Sequence, residues 1–242
     1  MTLRFATFNI RNCQADDGVN SWPYRVLHLQ TFVQDLDADI LGFQEVLHPQ
    51  LLALQDALPN YRFVGVGRID GAEQGEFVPI FYRVGTVVDQ GCFWLSETPD
   101  VPGSTAWETA CERMCTWMDL RVPGQTLRVM NTHMDHVSEL ARLEGARLIA
   151  AHSGQVTTVI MGDFNTHPAS EPVEALEAYG LRGAVPNVEM DTFHGWGKHS
   201  GGQIDHLMCR GATWSDAEII VAKVDGEWVS DHNAVRATLT LK

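Results

Sequence analysis

The chain has 242 residues, 45% hydrophobic and 20% charged, enough for one sizeable core, and no composition shift, repeat or low-complexity run marks a boundary, so residues 1–242 are expected to form a single domain. Seventeen basic against 31 acidic residues leave a net charge of −14, which repels polyanions at long range and argues against tight nonspecific duplex binding, although carboxylates holding a divalent cation still make a locally positive phosphate site. The five cysteines are odd in number and lack Cys-x-x-Cys spacing, which argues against a disulfide framework or thiolate zinc site; with a first strand from Leu3 and no bilayer-length apolar run, a cytoplasmic monomer without membrane contact is expected.

Leu3 to Ile10 reads as a strand with Asn9 at its polar end, followed by a loop to Ser21. Trp22, Val26, Leu29, Val33 and Leu36 recur at helical spacing. Asp39 to Glu45 is a buried-strand pattern ending in a carboxylate, and Leu51, Leu54 and Leu58 mark a short helix. A strand follows over Arg62–Val66, then a Gly-rich loop to Glu76. Phe77–Arg83 and Thr86–Phe93 read as a hairpin about Val84-Gly85, and Arg113–Val122 and Thr126–Asn131 as a second about Pro123-Gly124. Leu140, Leu143, Ala146 and Ala150 give a helix. The run Val159 to Gly162 is a strand buried on both faces that stops on Asp163, with Asn165 two residues on. Ser170 and Pro172 open a further helix, Pro186–Gly202 is a long loop, and Ile204–Cys209, Ala217–Ala222 and Ala234–Leu241 are strands. Strand, helix, strand occurs twice with polar strand ends, which predicts an α/β fold: a four-layer α/β/β/α sandwich of two packed sheets with outer helices.

Asn9, Glu45, His133, Asp163, Asn165, Asp205, Asp231 and His232 all sit at strand ends. Singly, each reads equally well as a turn former or a solvated polar residue. As a set they suit a hard cation and a phosphate, because Mg²⁺ takes oxygen ligands and is usually held by one or two carboxylates plus substrate phosphate.

The segments Phe8-Asn9-Ile10-Arg11, Phe43-Gln44-Glu45-Val46, Asn131-Thr132-His133, Gly162-Asp163-Phe164-Asn165, Ile204-Asp205-His206 and Ser230-Asp231-His232 resemble, in order, those of the endonuclease/exonuclease/phosphatase superfamily, which includes deoxyribonuclease I, exonuclease III and the nocturnin-type deadenylases. Phe93–Pro99 and Arg113–Trp117 are similar to small bacterial members near the deadenylase-like branch. The resemblance implies that Glu45, with Asn9 and Asp231, binds Mg²⁺ or Mn²⁺. It implies that Asp163 orients or deprotonates the attacking water, that Asn165 and His232 bind the scissile phosphate, and that Asp205 holds the His232 ring. His133 would protonate the leaving oxygen, paired with Glu76. These parts meet the needs of phosphoryl transfer: an in-line water, charge neutralisation and a stabilised leaving group.

Two rivals are weaker. Ser230-Asp231-His232 has the letters of a hydrolase triad, but adjacent residues cannot face one another and no G-x-S-x-G elbow is present. Asn131-Thr132-His133-Met134-Asp135-His136 is similar to a zinc-hydrolase motif of the metallo-β-lactamase type, with Asn in place of its first His. The substrate, a phosphate ester in any case, is less legible. Arg113, His194, Trp196 and Arg25 are candidate binding residues. The resemblance and the acidic charge favour a nuclease-like phosphodiesterase for single-stranded or short nucleic acid, with a phosphatase or phosphodiesterase of small molecules (sugar, inositol or lipid headgroup phosphates) as the alternative.

Overall fold

The computed structural model describes residues 1–186 and 190–242. In its first half the elements are β1 (Thr2–Asn9), α1 (Trp22–Asp35), β2 (Ile40–Gln44), α2 (His48–Ala57), β3 (Arg62–Val64), β4 (Ile80–Tyr82), β5 (Thr86–Trp94) and β6 (Met114–Val122). There follow β7 (Gln125–His133), α3 (Glu139–His152), β8 (Thr157–Asp163), α4 (Glu171–Ala178), β9 (Arg182–Gly183), β10 (Asp205–Arg210), β11 (Ala212–Ile220), a small hairpin of β12 (Lys223–Val224) and β13 (Glu227–Trp228), and β14 (Ala234–Leu241).

Two six-stranded sheets form, in the orders β11-β14-β1-β2-β4-β3 and β5-β6-β7-β8-β10-β9. The parallel pairs are β1 with β2, bridged by α1, and β7 with β8, bridged by α3. Leu3, Phe5, Ile40 and Ile80 of the first sheet meet Met118, Val129, Val159 and Leu207 of the second in one buried cluster. On the outer face of the first sheet, Phe8, Leu41 and Phe43 pack on Leu29 and Phe32 of α1 and Leu51 and Leu54 of α2. On that of the second, Met130, Ile160 and Met208 pack on Ala146 and Ile149 of α3 and Val173 and Leu176 of α4. Each buried Val, Leu, Ile, Phe or Met among them contributes about 1.5–3 kcal/mol, and the layers are those of the expected α/β/β/α sandwich.

Successive strand side chains alternate between faces, so the inter-sheet face can be read along each strand. In β1 it runs Leu3, Phe5, Thr7, Asn9; in β7 Leu127, Val129, Asn131, His133; in β8 Val159, Met161, Asp163. The filling between the sheets is therefore apolar at one end and polar at the other. Most buried polar groups in this layer find partners, although the Gln44 Oε1 and His133 Nδ1 atoms have none among the described residues. Gln44 Nε2 donates to Asn131 Oδ1 (2.7 Å) and lies 3.0 Å from the Thr7 hydroxyl, while Asn131 Nδ2 donates to the Phe43 and Pro79 carbonyls. This network seals the core and opens toward the site.

The hairpin expected about Val84-Gly85 does not form. β4 pairs with β2 and β3, whereas β5 pairs with β6 in the other sheet. Val84 packs against the inter-sheet core, so the turn carries the chain across the sandwich instead of folding it back. The second hairpin forms about Pro123-Gly124. The strand expected at Ala217–Ala222 begins earlier, at Ala212, where it pairs with β14. Of the long loop 186–202, residues 187–189 lie outside the described residues. The five cysteines are free, and no helix among the described residues is long and apolar enough to cross a membrane.

Candidate active site

At the polar end of the inter-sheet layer lies a cleft of about 350 Å³, lined by Glu45, Asp163, Asp231, His232, Arg11, Arg68, Arg113 and His133 among others. Its two sides differ in charge. On the acidic side, Glu45 follows β2 in the left-handed region (φ 60°), a conformation that costs a residue with a long side chain on the order of 1–2 kcal/mol. The turn aims the carboxylate at β1. Glu45 Oε1 accepts Asn9 Nδ2 (3.1 Å), and Oε2 accepts the main-chain N–H (2.9 Å) and side-chain amide (3.0 Å) of Asn12. Burial opposes the charge of Glu45, but those hydrogen bonds, with the charges of His232 and Arg11, outweigh it and hold its pKa below the usual value. Asp231 faces Arg11 at 3.7 Å, and burial raises its pKa, with Glu45 adding to the rise. The Ser230 hydroxyl donates to the Asn9 carbonyl (2.6 Å), tying the Asp231–His232 segment to the end of β1.

Asp163 ends β8 and bridges the two sheets: Asn9 Nδ2 donates to its Oδ2 (3.0 Å), and Asn165 N donates to its Oδ1 (2.9 Å). Asn165, also left-handed (φ 51°), donates its side-chain amide to the Met134 carbonyl (3.0 Å), and its second N–H has no partner among the described residues. His232 Nδ1 donates to Asp205 Oδ2 (2.9 Å), which leaves Nε2 pointing to the cleft, 3.8 Å from Asp163 Oδ2. Burial disfavours the imidazolium, yet the Asp205 charge and hydrogen bond, with Asp163 and Asp231, push His232 up to about 10. Burial, then the Asp205 charge, push Asp163 up to about 7 against the pull of His232. His133 Nε2 lies 3.5 Å from Asp163 Oδ2, and its buried Nδ1 has no partner. Burial and the nearby Arg113 and Arg68 hold it neutral, its pKa well below the ordinary value.

The basic side is built by Arg68 and Arg113. Glu76 lines the cleft but hydrogen-bonds Arg68, not His133. The expected Glu76–His133 pair is thus replaced by an ion pair, because Arg68 offers that carboxylate a full charge. Burial and the charge of Glu45 raise the Glu76 pKa in spite of Arg68.

Three candidate binding residues stand elsewhere. Arg25 is 1% exposed and its guanidinium donates to the main-chain carbonyls of Ile10, Arg11, Asn20 and Val229. It ties α1 to the loops behind the acidic side and is a structural post. Trp196 covers that guanidinium, 5.7 Å from ring centroid to Cζ, and His194 stacks on Trp228 and accepts Gly197 N. None of the three lines the cleft. Arg25→Met is expected to cost about 3–5 kcal/mol of stability, since it orphans several buried carbonyls at once; a denaturant melt within 1 kcal/mol of wild type, taking ~1 as the scale of one hydrogen bond, would contradict the role. Sequence reasoning missed Asn12, which secures Glu45, and Gln44 with Asn131, which close the core beneath the site. For Gln44 and Asn131 the signal was present in the strand alternation; Asn12 stands in the loop after β1, where no such pattern exists.

Two sets of groups bear on a metal. Among the described residues, Asp163, Asp205 and His232 bring ligand atoms within 4.8 Å of one another. There the Asp205–His232 hydrogen bond already uses one atom of each. Glu45 and Asp231 offer oxygen donors alone: the Glu45 charge adds to the raised Asp231 pKa, and a hard divalent cation relieves that repulsion, while Asn9 turns its Nδ2 to Glu45 and its Oδ1 accepts the Arg11 N–H. The second set fits better. The zinc motif at 131–136 does not assemble, because both Asp135 oxygens accept hydrogen bonds and His136 Nδ1 faces Arg113.

An α/β/β/α sandwich with carboxylates, a carboxylate-held imidazolium and three arginines, one of them buried, converging at one open end defines a phosphoester hydrolase. The chain belongs to the endonuclease/exonuclease/phosphatase family, whose pattern matches residues 6–232. A family member from Bacteroides vulgatus is 35% identical over 100% of both chains, with a TM-score of 0.93. A mannosyl-6-phosphatase from Bacteroides thetaiotaomicron is 30% identical over 99% of this chain and 100% of its own, with a TM-score of 0.85. The human nocturnin catalytic domain, at 13% identity over 100% of this chain and 95% of its own and a TM-score of 0.73, shares the fold. No curated protein matches the chain.

Proposed function

We propose that the protein hydrolyses small phosphomonoesters, sugar phosphates foremost, with Mg²⁺ or Mn²⁺. The observation that carries this reading is Arg113, which lines the cleft at 5% exposure and donates one hydrogen bond, from Nη2 to His136 Nδ1 (2.9 Å). Its Nε edge stands 3.7 Å from Asp135, but a buried guanidinium whose remaining Nη donors are unengaged among the described residues is still a receptor for an anion, and a monoester brings one more negative charge than a diester. The cleft volume of about 350 Å³ suits a small ligand. A polynucleotide needs a row of phosphate-neutralising cations, whereas Arg4, Arg83, Arg128, Arg147 and Arg236 are each paired with a carboxylate. The 30% identity to a mannosyl-6-phosphatase supports the same substrate class. These points outweigh the sequence-level preference for nucleic acid.

In this reading Glu45 and Asp231 would hold the divalent ion, with Asn9 beside them fixing the Glu45 carboxylate, and the ion would polarise a phosphoryl oxygen when bound. Asp163 accepts a proton from the attacking water. The His232 imidazolium, fixed by Asp205, and the second amide N–H of Asn165 donate to phosphoryl oxygens, and Arg113 takes the remaining charge. Burial comes first in keeping His133 neutral, with the Arg113 charge next; a phosphate against Arg113 offsets that charge and moves His133 toward holding the proton that the leaving oxygen needs.

The test is a panel of sugar monophosphates, a generic monoester, a generic diester, and single-stranded RNA and DNA, with each metal. Monoesters are expected to turn over about 10²-fold faster than diesters, and Arg113→Met to raise KM for monoesters about 10- to 100-fold through the lost charged hydrogen bonds. Faster cleavage of the diester or the oligonucleotides would overturn the assignment in favour of the nuclease.

A further inference from the structure

The segment His133-Met134-Asp135-His136 holds one residue with no part in the chemistry above. Asp135 is 1% exposed, and its carboxylate is fully engaged. Oδ1 accepts the main-chain N–H groups of Val137 (2.9 Å) and Ser138 (2.7 Å). Oδ2 accepts Ala110 N (2.9 Å), lies 2.9 Å from the Thr109 hydroxyl and stands 3.7 Å from Arg113 Nε.

The far end of this knot is a strained lip. Trp107 and Glu108 are consecutive left-handed residues (φ 56° and 59°), each costing on the order of 1–2 kcal/mol. Such strain persists only where neighbours over-determine it. Here the Ser138 hydroxyl donates to the Trp107 carbonyl (2.7 Å) and Thr109 N to the Ala106 carbonyl (3.1 Å), while Asp135 fixes the next two residues. The lip leads directly into Cys111 and Arg113, which line the cleft, and Arg113 reaches back to His136 beside the knot. One buried carboxylate thus joins the strand end carrying His133 to the lip carrying Arg113.

We propose that Asp135 is a positioning residue that sets the Arg113–His136 pair against the substrate phosphate, so that it governs substrate affinity without touching the reacting atoms. Three main-chain N–H groups and the Thr109 hydroxyl on Asp135 fix the chain on both sides of the guanidinium, and the nearby charge keeps its Nε edge oriented while Arg113 lines the cleft. An amide at this position can accept at one atom only, so Asn must release either the lip or the start of α3.

The proposal rests on the phosphomonoester reading for its substrate; should another phosphate ester prove the better one, the same cycle is run with that ester. Asp135→Asn is expected to raise KM about 10-fold with kcat within about 3-fold, and to speed hydrogen exchange at Ala110 N. Combined with Arg113→Met, its effect on KM should fall well short of additive, because both changes disable one device. Thr109→Val loosens the same knot without removing the carboxylate and should raise KM in the same direction by less, which keeps the question open to measurement if Asp135→Asn fails to fold. An unchanged KM, a fall in kcat alone, or fully additive effects with Arg113→Met would overturn the proposal even if the wild-type enzyme hydrolyses monoesters as expected. Absence of monoester turnover by the wild type overturns only the substrate reading.

Discussion

Asp163→Asn is expected to lower kcat for the preferred phosphate ester by about 10³-fold, the range for loss of a positioned general base. The geometry that motivates this is a carboxylate 1% exposed, fixed by Asn9 from one sheet and Asn165 from its own, with His133 and His232 within 4 Å of one oxygen. A base with a pKa near the working pH is well matched to proton transfer, and burial followed by the Asp205 charge brings Asp163 up to about 7. The same shift has a stability consequence with a definite sign. Between the ordinary value of 3.8 and about 7, the folded metal-free protein keeps a proton that the unfolded chain releases. Stability therefore falls as pH rises through that window and stays low above it. Asn carries no such penalty, so the variant is expected to melt higher than wild type at pH 8 without metal, while at pH 4 the two converge. A variant as active as wild type would remove Asp163 from the chemistry, and a lower melting temperature at pH 8 would contradict the electrostatic account.

Gly162→Ala is expected to be the most damaging small substitution in the chain. Gly162 has φ 146°, and a Cβ there would stand 2.0 Å from the Thr132 carbonyl oxygen and 2.9 Å from its carbon. Thr132 and Gly162 are partners in the parallel β7–β8 pair, so the obstacle is main chain and cannot turn aside. Relief requires β8 to slide away from β7, which carries Asp163 off Asn9 and His133. About 3 kcal/mol of stability should be lost, a fall in Tm of about 6–12 °C for a chain this size. Activity of the folded fraction should drop about 10²-fold, as expected for a displacement near 1 Å. Gly183→Ala, where nothing lies within 4 Å of the added carbon, serves as the control and should stay near wild type. Comparable losses in both variants would point to a general intolerance of substitution instead of the β7–β8 contact.

The layers and most elements were legible because they depend on local pattern. Strand alternation, the helical spacing from Trp22 to Leu36, and strands ending in Asn9, Glu45 and Asp163 are properties of short windows. The turn at Val84-Gly85 was not legible, since a hairpin and a crossover between sheets satisfy the same alternation and differ only in distant partners. The carboxylate–imidazole group at Asp163, Asp205 and His232 could be placed by family motifs, which carry spatial information that a single sequence lacks. Arg25 and Arg113 show the limit most clearly. Both are buried arginines near the start of an element, and only the structure shows that one spends its donors on carbonyls while the other keeps most of them free. Glu76 likewise met Arg68, a partner eight residues away across a Gly-rich loop, before it could meet His133.

The sheet order has a consequence for how the molecule comes into being. β14 lies between β11 and β1 in the first sheet, so a strand made more than 220 residues after β1 completes the neighbour pairing of β1. Until then the β1 edge has no partner on that side, an exposed template for pairing with other chains. His232 and Asp231 arrive just ahead of the same strand. Docking of β14 thus closes the vulnerable edge and brings Asp231 and His232 to the cleft in one event.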